Sequence, residues 1–418
     1  MQTGEKTRPS ELAILGGRPA FETTLHVGAP NIGDRDRLRQ RFDDILDRKV
    51  LSNGGPYVRE FERRIADLVG VKHCIATANG TLALEIAIRA MGLTGEVILP
   101  SFTFVATAHA LQWQEITPVF CDIDPESCNI DPARVVDLIT PRTTGIIGVH
   151  LWGRPCNTQA LVEIAREHKL RLLYDASHAF GCSHRGRMIG SFGDAEVFSF
   201  HATKFINTFE GGAILTKSDE LAEKARLMRN FGFVNYDKVS HVGTNGKMNE
   251  MSGAMGLTSL EDMNHFIDVN RENYLAYRQG LADVPGLRVF PYDDSERCNY
   301  QYVVIDVEES ETKLDRDRLV QILTAEGVLA RRYFHPGCHR MEPYRSYFPH
   351  ASLLLPVTER QSNRVFSLPT GTAVGESQIA RICSLLALAI EHGDELSETL
   401  EQKTAAQGPL GIYRPRVA

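Results

Sequence analysis

A lysine sits in an unusually apolar neighbourhood in the stretch SFHATKFINTFEGG, residues 199–212. Val197, Phe198 and Phe200 precede Lys204, and Phe205, Ile206 and Phe209 follow it. A lysine head group is strongly hydrated and is rarely buried without a reason. Lys204 is therefore either a surface residue on a loop or an amine held in a pocket for chemistry. Two other stretches end in polar residues of a matching kind. LRLLYDASHAFG runs from an apolar strand into Asp175, with His178 three residues on. ATANGTLALEIA runs from a strand into Asn79-Gly80-Thr81 and then into a helix, whose first N–H groups suit a phosphate. Each signal has an ordinary structural reading, Asp175 as a helix cap and Gly-Thr as a common helix start. Together with the hydroxyls of Ser199 and Thr203 they supply an amine, a carboxylate and a phosphate cradle. Those are the parts that pyridoxal phosphate requires: a lysine to condense with its aldehyde, an acid to pair with its ring nitrogen, and donors for its phosphate.

The elements that must position these residues are legible as an alternation. PYVREFERRIADLVG puts Phe61, Ile65 and Leu68 on one helical face, and TLALEIAIRAMG reads as a second helix ended by Gly92. Strand-like runs follow at Glu96–Leu99, Pro118–Asp122, Gly145–His150, Leu170–Asp175, Glu196–Phe200 and Gly212–Thr216, with helices such as NTQALVEIAREHK between several of them. This pattern predicts an α/β unit with a mostly parallel sheet, whose ligands bind at the carboxyl ends of the strands. After residue 250 comes one long helical stretch. Beyond it, LRVFPY, NYQYVVIDV and GVLARRYF read as strands of a smaller α+β unit closed by the helix SQIARICSLLALAIEHG. The expected organisation is a peripheral segment over 1–25, a large cofactor-binding domain over 26–265, a small domain over 266–395 and a peripheral tail over 396–418.

Composition narrows the class. Hydrophobic residues make up 43% and charged residues 24% of 418, with a net charge of −7 and no long basic run, which argues against nucleic acid as the main partner. No stretch is apolar enough for a signal peptide or a membrane span, so the expected location is cytoplasmic. The eight cysteines are scattered and form no close CxxC pair, which fits reduced thiols. HPGCH brings His335, Cys338 and His339 together, but Pro336-Gly337 interrupts the helix that a metal pair would use, so no metal is expected. ILGGRPA lacks the spacing of a dinucleotide fingerprint.

Taken in order, LSNGGPYVREFE, ATANGTLALEIAIRAMG, EVILPSFTFVATAHA, PVFCDID, TTGIIGVHLWGRP, YDASHAFG, FSFHATKFINTFEGGAILT and FSLPTG resemble the DegT/DnrJ/EryC1/StrS aminotransferases, from about residue 25 to 390. The resemblance implies an aspartate-aminotransferase-type fold (pyridoxal-phosphate fold type I) and an obligate homodimer with both active sites at the interface. It implies that Lys204 bonds the cofactor and acts as general acid and base, that Asp175 meets the pyridine nitrogen, and that Phe104 stacks on the ring. Gly80, Thr81 and Ser199 match the phosphate grip, Asn245 the residue that reaches across the dimer to the same phosphate, and His178 the side chain beside the 3-hydroxyl. ARRYFHPGCHRMEPYR, with His335 as a substrate residue, resembles nucleotide-sugar 4-aminotransferases. The implied reaction aminates dTDP-4-keto-6-deoxyglucose to dTDP-4-amino-4,6-dideoxyglucose, with L-glutamate (or glutamine) as donor and pyridoxamine phosphate between the two halves. It belongs to deoxyaminosugar biosynthesis, for antibiotics or surface glycans. Two residues depart from the family pattern: Lys247 stands where an arginine is usual, and Gly246 where an aromatic is. Lys204 argues against the dehydrating branch, which carries histidine there. The alternatives are a 3-keto-sugar nucleotide or cyclitol (scyllo-inosose type) aminotransferase, and a non-enzymatic cofactor-binding regulator.

Overall fold

Short apolar runs bounded by turn residues pair into a seven-stranded sheet in the computed structural model, which describes residues 6–407, with side chains as far as 402. The strand order is His73–Thr77, Gly212–Thr216, Ala195–Ser199, Arg171–Asp175, Thr143–Val149, Glu96–Pro100, Thr117–Cys121. Only Gly212–Thr216 runs against its neighbours. Consecutive residues such as Val97, Ile98 and Leu99, or Ile146 and Ile147, are fully buried. A parallel sheet covered on both faces requires this, because both pleat faces meet helices. The helix Pro56–Val69 covers one face with Phe61 and Ile65; it starts at a proline and stops at Gly70, which takes the left-handed conformation at φ 74°. The helix Gly80–Ala90 covers the other, beside Asp219–Met228.

The stretch after residue 250 is two helices, Glu250–Glu261 and Met263–Gly280. They part at Asp262, whose carboxylate accepts the N–H of Asp34 at 2.9 Å. The expected boundary at 265/266 therefore falls inside a helix. In the smaller unit, Leu287–Val289, Val303–Val307 and Val365–Leu368 form an antiparallel three-stranded sheet. GVLARRYF contributes the short strand Val328–Leu329, which pairs in parallel with Leu25–His26, and a single antiparallel bridge from Arg331 to Ser367 at the edge of that sheet. One continuous core runs through both units, from Phe61 and Phe198 to Val303 and Leu386. A polar tie crosses between them as well. The helix Pro356–Arg364 begins at Leu355, which has no side-chain acceptor for the free N–H groups. Asp122, just past the Thr117–Cys121 strand, takes that role, accepting from Val357 N at 3.0 Å and Thr358 N at 2.8 Å.

Over residues 6–25 the N-terminal segment is not peripheral, while residues 1–5 lie outside the described residues. Leu12 and Ala20 join the main core, and Leu25–His26 is a strand of the small unit. The anchor is Glu326, fully buried, which accepts from Lys6 Nζ at 2.6 Å, Ala13 N at 2.7 Å and Ala20 N at 2.8 Å. Three donors making four hydrogen bonds to one buried carboxylate is a satisfied arrangement that sequence spacing over more than 300 positions does not announce. The tail is peripheral only in part: Gly393–Gln407 is a helix that buries Leu396, and residues 408–418 lie outside the described residues. Replacing Glu326 by Ala leaves buried N–H groups unpaired. Urea unfolding is expected to show a loss of about 3 kcal/mol, with limited proteolysis cutting first near residues 6–20; a change within error would show that the segment docks through Leu12 alone.

Candidate active site

Three strands that end on the same edge of the sheet deliver the polar residues singled out above. The Ala195–Ser199 strand is followed by a loop whose apolar members are buried: Phe200, Phe205 and Ile206 are at most 4% exposed. They anchor the loop in the core and leave the Lys204 side chain facing a cavity of about 340 Å³. The loop is fastened from outside the sheet too. Asn31 donates to the carbonyl of Phe205 at 3.1 Å and accepts from the Asn207 amide at 2.9 Å, while Thr372 of the small unit donates to its Oδ1 at 2.8 Å. Gly28 lies so close that a Cβ there would come within 2.9 Å of Thr203.

Lys204 Nζ donates to Tyr302 Oη at 3.2 Å. The residue as a whole is half-buried because it lines the cavity, but the amine is enclosed. Burial pushes it down from 10.5 to about 8, and the opposing charge of Asp175 limits the fall. Asp175 ends its own strand and is 6% exposed. Its carboxylate accepts from Thr107 Oγ1 at 2.8 Å and Ser177 N at 3.1 Å. Because Thr107 spends its proton on Asp175, it accepts from Thr103 across their 3.0 Å contact. The ordinary reading of Asp175 as a cap is partly right, since Ser177 N is a turn donor, yet its second oxygen belongs to a buried hydroxyl relay.

His178 is held between aromatic rings, stacked on Phe334 at 5.6 Å and 4° and tilted against Tyr302 at 4.6 Å. Burial and then Lys204 push it well below its ordinary value, so the ring is neutral. The backbone N–H of Trp152 donates to Nδ1 at 3.2 Å, which leaves the ring proton on Nε2. Trp152 achieves this in the left-handed region, φ 53° and ψ 29°, an uncommon place for a bulky residue.

The third strand end forms the cradle. Asn79 caps the helix by accepting from Leu82 N at 2.8 Å, and Gly80 and Thr81 open its first turn into the cavity. A Cβ on Gly80 would lie 2.9 Å from Ser199 Cβ, so glycine is what lets the helix start approach the lysine strand. Ser199 Oγ accepts from His201 N at 3.4 Å and keeps its proton free. Phe104 stands at the start of the helix Val105–Gln112 with its ring 56% exposed, a large apolar face with open space beside it.

One expected residue is elsewhere. His335 does not line the cavity; its ring turns toward Arg316 and Arg332, and its buried Nδ1 has no partner. Tyr333 and Phe334 occupy the wall instead, and a turn closed by His335 N on Arg332 O at 2.7 Å carries the next side chain away. Asn245 also stands outside this cavity, exposed, with its Oδ1 accepting from Lys247 at 2.7 Å. Sequence reasoning missed Tyr302, Arg331, Tyr333 and Phe334. The aromatic run in ARRYF and the Tyr-rich NYQY were the signals, but nothing local says which face meets the large unit.

A sequence model of the DegT/DnrJ/EryC1/StrS aminotransferase family matches residues 33–387. The chain is 40% identical over 324 residues to the dTDP-4-amino-4,6-dideoxy-D-glucose transaminase of Shigella dysenteriae, covering 78% of this chain and 88% of that protein. It is 36% identical over 367 residues to the GDP-perosamine synthase of Caulobacter vibrioides, covering 87% and 97%. Its structure is similar to that of DesI solved in the presence of its TDP-sugar product, with 52% identity, a TM-score of 0.90 and coverage of 94% and 99%.

The depressed amine has a consequence for stability. Between about pH 8 and 10.5 the unfolded chain holds a proton that folded Lys204 has released, so this group's penalty on the fold lifts as pH rises. In protein without ligand, Lys204→Met is expected to be more stable than the parent by about 3 kcal/mol below pH 8. Chemical unfolding across the window should show that advantage shrinking with rising pH; a constant difference would mean the amine is not desolvated.

Proposed function

The chain belongs to the DegT/DnrJ/EryC1/StrS aminotransferase family and has its α/β aspartate-aminotransferase-type fold; from that premise we propose that it is a pyridoxal-phosphate-dependent aminotransferase of a 4-keto-sugar nucleotide, making dTDP-4-amino-4,6-dideoxyglucose with L-glutamate as donor. The observation that carries the reading is one cavity holding a desolvated lysine, a hydrogen-bonded carboxylate and an open helix start. The kinship with the Shigella transaminase and with DesI supports the substrate class. Deoxyaminosugar biosynthesis is the setting.

The residues present fit the cofactor. The Gly80 cradle is a space that any larger residue would fill, and the N–H groups of Gly80 and Thr81 with the Ser199 hydroxyl suit a phosphate. The exposed face of Phe104 suits an aromatic ring. Asp175 presents a fixed negative charge for a ring nitrogen, and His178 offers an Nε2–H donor. When bound, pyridoxal phosphate supplies an electron sink and carries nitrogen from donor to acceptor. The chain supplies the rest. Lys204 would take the proton from the donor Cα as general base and, in the second half-reaction, return a proton as general acid to the acceptor carbon that gains nitrogen. Its lowered basicity keeps a substantial neutral fraction near pH 8. Tyr302 Oη holds the amine in line. Asp175, held in place by hydrogen bonds from Thr107 and Ser177, would stabilise positive charge on the cofactor's ring.

The active unit is a homodimer. The hairpin of Phe233–Asn235 and Lys238–Val239 exposes Tyr236 fully, Val242 by 73%, Val239 by 55% and Val234 by 50%. Apolar side chains this concentrated call for a cover, and Asn245 follows directly on the same loop. A second copy seated there brings Asn245 to the neighbouring phosphate.

Two experiments test this. Holoenzyme incubated with dTDP-4-keto-6-deoxyglucose and glutamate should yield the 4-amino sugar nucleotide, and borohydride should fix the cofactor to Lys204; a product aminated at C3, turnover of an inosose only, or an adduct on another lysine would overturn the assignment. Asn245→Ala should weaken cofactor retention by about 1–3 kcal/mol. Mixed with Lys204→Ala, itself inactive, it should regain activity, because a mixed dimer holds one site with both residues. Failure of the mixture, with exchange of subunits demonstrated, would place Asn245 in its own protomer's site or in none.

A further inference from the structure

The charged side chains around the cavity are engaged, with one exception. Lys204 is bonded to Tyr302, Asp175 to Thr107 and Ser177, and His201 to Thr203, with Glu210 at 3.5 Å. Arg331 makes no hydrogen bond or ion pair through its side chain among the described residues, and it is exposed at the cavity wall. Its backbone is nonetheless fixed from both sides, N to Ser367 O at 3.1 Å and O from Ser367 N at 2.7 Å. Its guanidinium lies 5.5 Å from the centroid of Tyr333. The next residue, Arg332, shows the contrast, because it is paired with Asp317 at 2.9 Å and does not line the cavity. One arginine of the pair serves the fold; the other is presented to the cavity from an anchored backbone with its charge unanswered.

Its place limits what it can meet. Tyr302, bonded to Lys204, lies 6.1 Å from Tyr333 by ring centroids, and the Arg331 guanidinium is 5.5 Å from that same Tyr333 ring. It has no hydrogen bond to Lys204, whose amine is bonded to Tyr302, so the structure gives it no part in holding the amine. A guanidinium is always charged and its planar fork matches carboxylate and phosphate oxygens. We propose that Arg331 is a specificity residue of this cavity, binding an anionic oxygen group that a substrate carries at a distance from its reacting carbon. This rests on the aminotransferase reading above. Both proposed substrates have such a group, the distal carboxylate of the amino donor and the diphosphate of the sugar nucleotide. Since the two use the cavity in turn, one cation can serve both.

The test uses holoenzyme of the parent, Arg331→Gln, Arg331→Lys and, as a control, Arg332→Gln. Each is titrated with dTDP by calorimetry. Each is also mixed with L-glutamate in single turnovers followed by cofactor absorbance, which separates affinity from maximal rate. Arg331→Gln is expected to weaken at least one of the two affinities by roughly tenfold or more, with the maximal rate within about threefold of the parent. Arg331→Lys should recover part of the loss by keeping the charge. The affected affinity of the parent should fall with added NaCl more steeply than that of Arg331→Gln. Loss with dTDP alone identifies the diphosphate as the bound group, loss with glutamate alone the carboxylate, and loss with both a shared anchor. The proposal is overturned if both affinities are unchanged in Arg331→Gln, if Arg332→Gln loses as much, or if the parent binds neither probe. A parent that binds dTDP and reacts with glutamate, yet aminates no keto-sugar nucleotide, removes the acceptor assignment and leaves Arg331 standing.

Discussion

The desolvated amine of Lys204 is the constraint around which this molecule is arranged. An ammonium at the end of a buried strand is unfavourable unless its surroundings compensate or its charge is given up. Both happen here: Asp175 holds the charge partly in place, and burial carries the amine down to about 8. The neighbours are tuned to the same end. His178 is kept neutral by burial and by the lysine itself, so no second cation competes in the cavity's interior. A neutral ring with a fixed tautomer, stacked on Phe334, then becomes a directional donor rather than a base.

Holding an amine in this state requires a loop that cannot relax toward water. Phe200, Phe205 and Ile206 tie it to the core, and Asn31 ties it to the small unit through Thr372. The small unit is in turn joined to the large one by the shared core and by Asp122, which caps a helix that has no cap of its own. Even the N-terminal segment belongs to this frame, through Glu326 and the Leu25–His26 strand. The precision of the site is a property of the whole chain, since each support comes from a different part of the sequence.

The cavity is asymmetric. Its large-domain wall carries the hydrogen-bonding parts at the strand ends, and its small-domain wall is aromatic, with Tyr302, Tyr333 and Phe334, and bears the unpaired Arg331. Fixed dipoles and charges near the amine suit the cofactor proposed above. An aromatic wall with one arginine that lacks an ion-pair partner among the described residues suits ligands that come and go.

What the sequence determined by itself is the part governed by local pattern. The alternation of apolar runs and turn residues produced the seven-stranded sheet, and polar residues at strand ends had to fall on its carboxyl edge. Lys204, Asp175, His178, Gly80, Thr81 and Ser199 were therefore identifiable in advance, Phe104 was implied by the family resemblance, and all seven line one cavity. Tertiary structure alone decided the features that join distant segments. The break at Asp262 depends on Asp34, the docking of the N-terminus on Glu326, and the cap of the helix Pro356–Arg364 on Asp122. His335 shows the same limit at the site. Its residue type suited a substrate pocket, but Tyr333 and Phe334 take that wall, His335 packs away from the cavity toward Arg316, and Arg331 lines it instead. Periodicity records which face of an element is apolar, whereas the partner that meets that face is chosen by long-range packing, which no local spacing encodes.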